Sequence, residues 1–453
     1  MDISNKIFQG NVLDILPTFS ENSIDCCVTS PAYWGLRNYG EGSDVVWNGN
    51  PNCEHKWGKE LIREGKTPHG PHSVLSPKVK VEQQFEATST FCIKCGAWYG
   101  QLGIEPHPQM YIDHVVQIME EVKRVLKLTG SLWLNVGDTY FGAKGKSANK
   151  WSENHLEERE TLQTEHTSMN IDKPQDLLKE DGGWFQRKQR MMIPERIAIA
   201  MQDRGWILRN TVIWYKPNHM PSSAMDRLAN SYEPVFFFVK NPKYYFDLDP
   251  IRRPHIWADK DKRSLLKRAV KLSGKSTAGI YSTDAVSYHP AGANPADVWV
   301  ICTEAFSGEH FATFPTKLVE RIITAVCPNQ VCKKCGKPRE RIVEMDGLVV
   351  AGHGGGTKPT ADMLQLSETS SLRTALKRNY KTIGWTDCGC GEGFIEGIVL
   401  DPFLGSGTTA LAARRNCRRY VGVEINPKFI PIIEERLKEI PDARLDKILE
   451  KTQ

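Results

Sequence analysis

Apolar residues recur along this chain in two periods that alternate. Short apolar runs predict strands: "IDCCVTS" (24–30), which reads as buried, "SLWLNVGD" (131–138), "WILRNTVIWYKP" (206–217), which ends at proline, "EPVFFFVK" (233–240) and "YVGVEI" (420–425). Helical spacing appears in "YIDHVVQIMEEVKRVLKL" (111–128), "IPERIAIAMQDRG" (193–205) and "FPTKLVERIITAV" (314–326). "GIVLDPFLGSGTTALAARRN" (397–416) reads as strand, glycine loop and helix in one piece. This alternation predicts an α/β chain built on a parallel sheet with helices over both faces. No internal repeat is visible. Three polar stretches rich in Gly, Pro, Ser and Thr interrupt the pattern, at 41–109, 141–190 and 328–396.

Composition narrows the class. The chain has 453 residues, 40% hydrophobic and 25% charged, which are ordinary values for a globular protein with a sizeable core. No apolar run is long enough to span a bilayer, and "MDISNKIFQGNVLDIL" lacks the basic-then-apolar order of a signal peptide, so a cytoplasmic protein is expected. The net charge of +5 is mild, so any nucleic-acid contact must come from local patches. The basic stretch Arg252–Lys275, "RRPHIWADKDKRSLLKRAVKLSGK", is one such patch, and a solvated helix face accounts for it equally well.

Twelve cysteines are many for a reducing compartment, and eight group with spacing that suits a metal. Cys53 and His55 precede Cys92 and Cys95. Cys332 and Cys335 precede Cys388 and Cys390. Each set offers four ligands for tetrahedral zinc, and both C-x-x-C pairs are followed by a glycine that permits the tight turn. Zinc would then organise two of the three long insertions. Cys327 is a spare candidate for the second set, while Cys26, Cys27, Cys302 and Cys417 read as small core residues.

Two motifs carry chemistry. In "VLDPFLGSGTT" (399–409) a strand ends in an acid and glycines follow, which lets backbone approach a ligand at a helix N-terminus. No Gly-Lys-Ser/Thr follows, so this is not a triphosphate loop. Glu424 ends the next strand, where a carboxylate can accept both ribose hydroxyls. The second motif is "TSPAYW" (29–34), a buried strand that runs into a hydroxyl, a proline and two aromatics.

Together, Asp-Pro-Phe-x-Gly-x-Gly-Thr-Thr late in the chain and Thr-Ser-Pro-x-Tyr-Trp early in it resemble the DNA amino-methyltransferases of the permuted β class. The resemblance extends to residues 10–40, 122–140, 212–240 and 309–323, in the family's order. It implies a Rossmann-like S-adenosylmethionine-dependent methyltransferase fold, circularly permuted, here with zinc-binding insertions. The expected cofactor residues are Asp401, Pro402, Phe403, Gly405, Ser406, Gly407, Thr408, Glu424 and Phe314. At the catalytic tip, Ser30 Oγ and the Pro31 carbonyl would accept from the exocyclic amine of a flipped base. Tyr33 would stack on that base, with Trp34 as second wall or packing support. The amine attacks the sulfonium methyl directly, and no Pro-Cys pair is present to supply a thiol nucleophile. Ala32 stands where the family usually has a second proline, which removes one fixed φ angle.

The resemblance also sets expectations for organisation and substrate. Residues 1–40 and 110–247 would form the catalytic part, 309–327 and 397–453 the cofactor-binding part, and 248–308 the target-recognition region, with Arg252, Arg253 and Lys262 on phosphates. Residues 41–109 and 328–396 would be the zinc-binding insertions, and 141–190 a flexible one. Ser30 at the position where adenine enzymes more often carry Asp favours the 4-amino group of cytosine over the 6-amino group of adenine. Methylation of RNA or of a protein amide, and an inert zinc-containing DNA-binding protein, are the rival readings. Double-stranded DNA is the expected partner. A cognate restriction nuclease, the recognition sequence and the oligomeric state stay open.

Overall fold

The structure, a computed structural model, describes residues 2–36, 39–40, 42–58, 90–141, 185–253, 292–304, 314–350 and 376–438. Lys262, most of the basic stretch and most of the 141–190 insertion lie outside the described residues. Among the described residues no helix is long and apolar enough to cross a membrane. The chain divides into two compact units, one of Met1–Tyr245, Asp297–Cys327 and Gly397–Gln453, the other of Phe246–Ala296 and Pro328–Glu396.

The first unit contains, in chain order, β1 (Lys6–Gln9), α1 (Val12–Ile15), β2 (Ile24–Thr29), β3 (Val45–Trp47), β4 (Trp57–Gly58), β5 (Thr90–Cys92), β6 (Trp98–Gly100), α2 (Pro108–Val125) and β7 (Leu126–Asn135). It continues with α3 (Ile193–Asp203), β8 (Ile207–Tyr215), β9 (Tyr232–Val239), β10 (Val298–Val300) and α4 (Thr316–Val326). The second unit holds β11 (Val331–Cys332), β12 (Arg341–Val350), β13 (Leu376–Trp385) and β14 (Phe394–Ile395). The first unit then resumes with β15 (Ile398–Asp401), α5 (Thr408–Arg415), β16 (Arg419–Glu424) and α6 (Ile430–Lys438).

Eight strands of the first unit form one sheet in the order β1-β16-β15-β2-β7-β9-β8-β10. The late strand β15 lies beside the early strand β2, with Val399 opposite Cys26 and Leu400 opposite Cys27, as a permuted chain requires. Both cysteines are fully buried, in keeping with small core residues. The sheet is mixed rather than wholly parallel: β9 runs antiparallel to both β7 and β8. The reason is connectivity, because no crossover helix separates β8 from β9 and consecutive strands without one pair as a hairpin. Helices α1, α2 and α3 pack together, as do α4, α5 and α6. Strand β7 meets α2 from one group and α4 from the other, and Gly130–Asn135 within it are all buried, so both faces are covered at the sheet's centre.

Local signals account for the elements that matter most to the site. His107 caps α2 by accepting from the Gln109 N–H, and Pro108 supplies the first-turn φ angle. The helix then buries Tyr111, Ile112, Val115, Ile118, Met119 and Val122 along one stripe.

The two units cut across the range read at 248–308, whose last residues join 309–327. Phe246–Ala296 and Pro328–Glu396 belong to one unit, where Arg341 donates to Asp247 at 2.8 Å and Asp249 at 2.6 Å. Val298–Val300 instead forms the edge of the large sheet, pairing with Ile213–Tyr215 of β8. Its buried residue, Trp299, stacks on Trp133 at 5.9 Å, with the Arg321 guanidinium over the ring at 4.3 Å.

Candidate active site

The residues after β2 form a tip whose polar atoms converge. Ser30 Oγ lies 3.3 Å from the Tyr33 hydroxyl and 3.5 Å from Asn135 Oδ1. The Tyr33 hydroxyl is 2.9 Å from both Asn135 Oδ1 and Glu233 Oε2, and the Lys216 ammonium holds the other oxygen of Glu233. Burial, then the Glu233 carboxylate, pushes the Tyr33 phenol well above its usual range, so it stays a protonated donor. The Tyr33 ring packs on Gly137, where an added Cβ would sit 2.4 Å from Cε2. Asn135 is fixed in turn, its Nδ2 donating to the Pro234 carbonyl at 3.1 Å.

Pro31 is buried and Trp34 is 1% exposed. The Trp34 indole N–H donates to the Glu105 carbonyl at 2.9 Å, so Trp34 packs behind the loop as support and is not a second wall of the slot. Asn135, Glu233 and Lys216 were missed in the sequence. The available signals were a polar residue ending the apolar run "SLWLN" and an acid opening "EPVFFFVK", and neither distinguishes a site residue from a strand end.

A cavity beside this tip is lined by Ser30 and Ala32 on one side and by Pro402, Phe403, Gly405, Ser406, Thr408 and Glu424 on the other, with Phe314 and Asn11 at its wall. The expected cofactor residues divide by position. Asp401 is 1% exposed and lies beneath the loop, accepting from Thr29 Oγ1 and Thr409 Oγ1, both at 2.6 Å, and from the Phe403 N–H at 3.0 Å. Burial pushes its carboxyl up to about 6 against these donors. Asp401 and Gly407 therefore shape the loop from outside the cavity. Gly407, at φ +84°, lets α5 approach Ile433, since a Cβ there would stand 2.7 Å from Ile433 Cγ2. Gly405 is different: a Cβ at this residue would meet only the Phe403 carbonyl, at 3.9 Å, so its backbone stands bare to a ligand.

Glu424 lines the cavity and is 6% exposed. Its Oε2 accepts from the Gly405 N–H at 2.7 Å and its Oε1 from the Asn426 N–H at 2.8 Å, leaving each oxygen a further lone pair. Burial raises its carboxyl to about 7, opposed by those N–H donors. A bare glycine backbone, aromatic rings and a two-pronged acceptor fit a nucleoside.

Residues 24–332 and 392–435 match the model of the N6/N4 methyltransferase family, described as DNA methylase. The chain belongs to this family of DNA amino-methyltransferases. It is similar to the Type II methyltransferase M.Cfr9I of Citrobacter freundii, 26% identical over 432 residues that cover 95% of this chain and 87% of that protein. It is also similar to the Type II methyltransferase M.SmaI of Serratia marcescens, 26% identical over 434 residues that cover 96% and 91%. Among solved structures, the PvuII DNA methyltransferase (cytosine-N4-specific) aligns with 99% of this chain and 92% of its own, at a TM-score of 0.44 and 15% identity.

Two further clusters lie in the enzyme. The ligand atoms of Cys53, His55, Cys92 and Cys95 all fall within 4.8 Å of one another, as do those of Cys332, Cys335, Cys388 and Cys390. In the first, Cys53 Sγ to Cys92 Sγ is 3.9 Å and Cys95 Sγ to His55 Nδ1 is 3.5 Å. A zinc tetrahedron with ordinary bond lengths has edges of about 3.8 Å between sulfurs and about 3.6 Å from sulfur to nitrogen, so the set fits that ion. At Cys92, burial is overcome by His55 and by the N–H groups of Cys95, Lys94 and Lys56, which bring the thiol down to about 6. Backbone N–H groups of Cys335 and Lys334 do the same at Cys332, also to about 6. Their partners move the other way without a metal, burial and then the neighbouring thiols pushing Cys53 up to about 11 and the neighbouring thiols pushing Cys390 up to about 12, so one thiol of each set ionises first.

The expected phosphate contacts need revision. Arg252 donates to Asp249 Oδ1 at 2.6 Å, to the Gly292 carbonyl at 3.2 Å and to the Asn294 side chain, so its guanidinium builds the second unit. Arg253 pairs with Ala293 through its backbone and its residue is exposed, which leaves its charge available to a ligand.

Proposed function

We propose that the enzyme transfers the methyl group of S-adenosylmethionine to the 4-amino group of cytosine in double-stranded DNA. The observation that supports it is that Ser30 and Ala32 of the tip share one cavity with Gly405 and Glu424, which would bring a methyl donor and a target amine together. The bound cofactor supplies an electrophilic sulfonium methyl. Glu424 takes the ribose hydroxyls, the Gly405 backbone lies against the nucleoside, and Phe314 and Phe403 cover its apolar faces. Ser30 Oγ and the Pro31 carbonyl accept from the amine's hydrogens, which turns its lone pair toward the methyl. The Tyr33 hydroxyl holds Ser30, and Asn135, Glu233 and Lys216 hold Tyr33. Both neighbouring thiols, Cys26 and Cys27, are held protonated by burial, in keeping with direct attack.

Ser30 in place of a carboxylate favours cytosine over adenine. The two four-ligand clusters are structural zinc sites, and the enzyme belongs to a restriction-modification system with a partner nuclease, as the Type II names of its relatives suggest. The test is to methylate duplex DNA with labelled cofactor, digest it to nucleosides and identify the product by mass. N4-methylcytosine supports the proposal, and N6-methyladenine overturns the base assignment while leaving the rest intact.

A further inference from the structure

The first metal cluster and the cofactor cavity are two ends of one small sheet. Its strands run in the order β3-β6-β5-β4 and are only two or three residues long. At one end, Ser43, Val45, Trp47, Gln101 and Leu102 line the cavity opposite the glycine loop. At the other stand Cys53, His55, Cys92 and Cys95. Trp47 and Gln101 are each six residues along the chain from a ligand, Cys53 and Cys95 respectively.

The joint between the two ends is close-packed. A Cβ on Gly49, at φ +82°, would lie 2.6 Å from Ala97 Cβ and 3.0 Å from Cys95 Sγ. The Trp47 indole N–H donates to the Gly100 carbonyl at 2.8 Å, and its ring stacks on His114 of α2 at 4.2 Å. His114 Nδ1 pairs with Glu105 Oε1 at 3.0 Å, both side chains buried, and Glu105 Oε2 accepts from the Gly103 N–H at 2.8 Å. The Gly103 carbonyl accepts from the Gly35 N–H of the catalytic loop at 2.7 Å. The same sheet therefore borders the cavity and fastens the tip.

Strands this short do not hold a sheet by themselves. Ligation of a metal by side chains from separate segments supplies folding free energy. We propose that zinc on Cys53, His55, Cys92 and Cys95 sets the cavity wall formed by Val45, Trp47, Gln101 and Leu102, so that cofactor affinity is coupled to occupancy of this metal site. The inference rests on the reading of the cavity as the S-adenosylmethionine site. The all-cysteine cluster belongs to the second unit, and none of its four residues lines the cavity.

The experiment uses the full chain purified without chelator, with zinc measured by elemental analysis and S-adenosylmethionine binding by calorimetry. Cys95→Ser should lose one zinc equivalent and weaken the cofactor at least about ten-fold, within the usual range of coupling between sites. Cys335→Ser should lose the other equivalent and keep the wild-type affinity. Stripping the wild type with a chelator and restoring zinc should lower and then recover affinity, which separates coupling from misfolding of a variant. Loss of zinc from Cys95→Ser with unaltered affinity overturns the coupling, as does wild-type protein that contains no zinc. Zinc-replete wild type that does not bind S-adenosylmethionine overturns the cofactor reading itself.

Discussion

On the proposed site, the Glu424 carboxyl would link cofactor affinity to pH. Burial holds the free enzyme's carboxyl at about 7, and both oxygens already accept from backbone N–H groups. With the proposed ribose contact, hydroxyls donate well to the carboxylate and poorly to the protonated acid, so cofactor binding would select the ionised form. With half-ionisation at about 7, the ionised share rises about ten-fold between pH 6 and pH 8, and affinity should rise by about the same factor. Glu424→Gln keeps the volume but replaces one acceptor by a donor that faces a backbone N–H. Charge-assisted hydrogen bonds contribute roughly 1.5–3 kcal/mol each, so the variant should bind at least about ten-fold more weakly. The assay is titration calorimetry of S-adenosylmethionine from pH 6 to 8, in buffers of different ionisation enthalpy to count released protons. Most of the wild-type slope should vanish in Glu424→Gln, with a remainder from the cofactor's own amino group, whose pKa lies near about 7.8. A wild-type affinity that is flat across this range, or a variant that keeps both affinity and slope, would refute the assignment.

Other expectations follow from the same geometry. Ser30→Ala should leave cofactor affinity intact and lower the single-turnover methylation rate by about 10²–10³-fold, the range for losing one positioned polar group, whereas Cys26→Ala should keep turnover. Tyr111→Phe removes the hydroxyl that donates to the Ala32 carbonyl at 2.7 Å, and should slow methylation more than it weakens cofactor binding, as rapid-quench kinetics would show. Arg253→Ala should reduce the salt slope of DNA binding by about one unit, and Arg252→Ala should instead lower thermal stability, since its guanidinium is bonded inside the second unit. Asp401 and Glu424 have folded pKa values of about 6 and about 7, above their unfolded ones. Their stabilising share is therefore complete below about pH 4 and is lost as pH rises through about 6–7, so chemical denaturation of the cofactor-free enzyme should show a decline across that window.

Sequence and structure agree where chemistry is local. The glycine loop, the acid at the end of β16 and the hydroxyl after β2 each follow an apolar run, and a strand end that carries such residues has few structural alternatives. The two cysteine clusters were legible because C-x-x-C followed by glycine closes a turn: Gly96 and Gly336 take φ +76° and +67° and donate to the Cys92 and Cys332 carbonyls. What stayed hidden depends on partners distant in the chain. Asp401 reads as a ligand-binding acid until Thr29 and Thr409 are seen to occupy it. Arg252 reads as a free cation until Asp249 and Asn294 are placed against it. The antiparallel β9 hid for another reason, since an apolar run buried on both faces gives no sign of its direction.

The one departure from the resembling motif, Ala32 in place of proline, shows how distant contacts can replace a local constraint. A proline at this position would fix φ by its ring. Here the backbone is held by groups from elsewhere: Tyr111 of α2 donates to the Ala32 carbonyl, and the Gly35 N–H donates to Gly103. A Cβ on Gly103 would stand 3.1 Å from the Tyr33 carbonyl and 3.2 Å from Ala32 Cβ, so the stretch leading into α2 presses directly on the tip. Tyr111 is fully buried, and burial pushes its phenol well above the usual range, which keeps it a donor. Ala32 thus leaves the tip constrained, with the constraint moved from one ring to the 101–105 stretch and the helix that follows it. The 30–35 tip is consequently held by the stretch that follows the small sheet carrying Cys53, His55, Cys92 and Cys95, and a change in that sheet should alter methyl transfer through the tip's position.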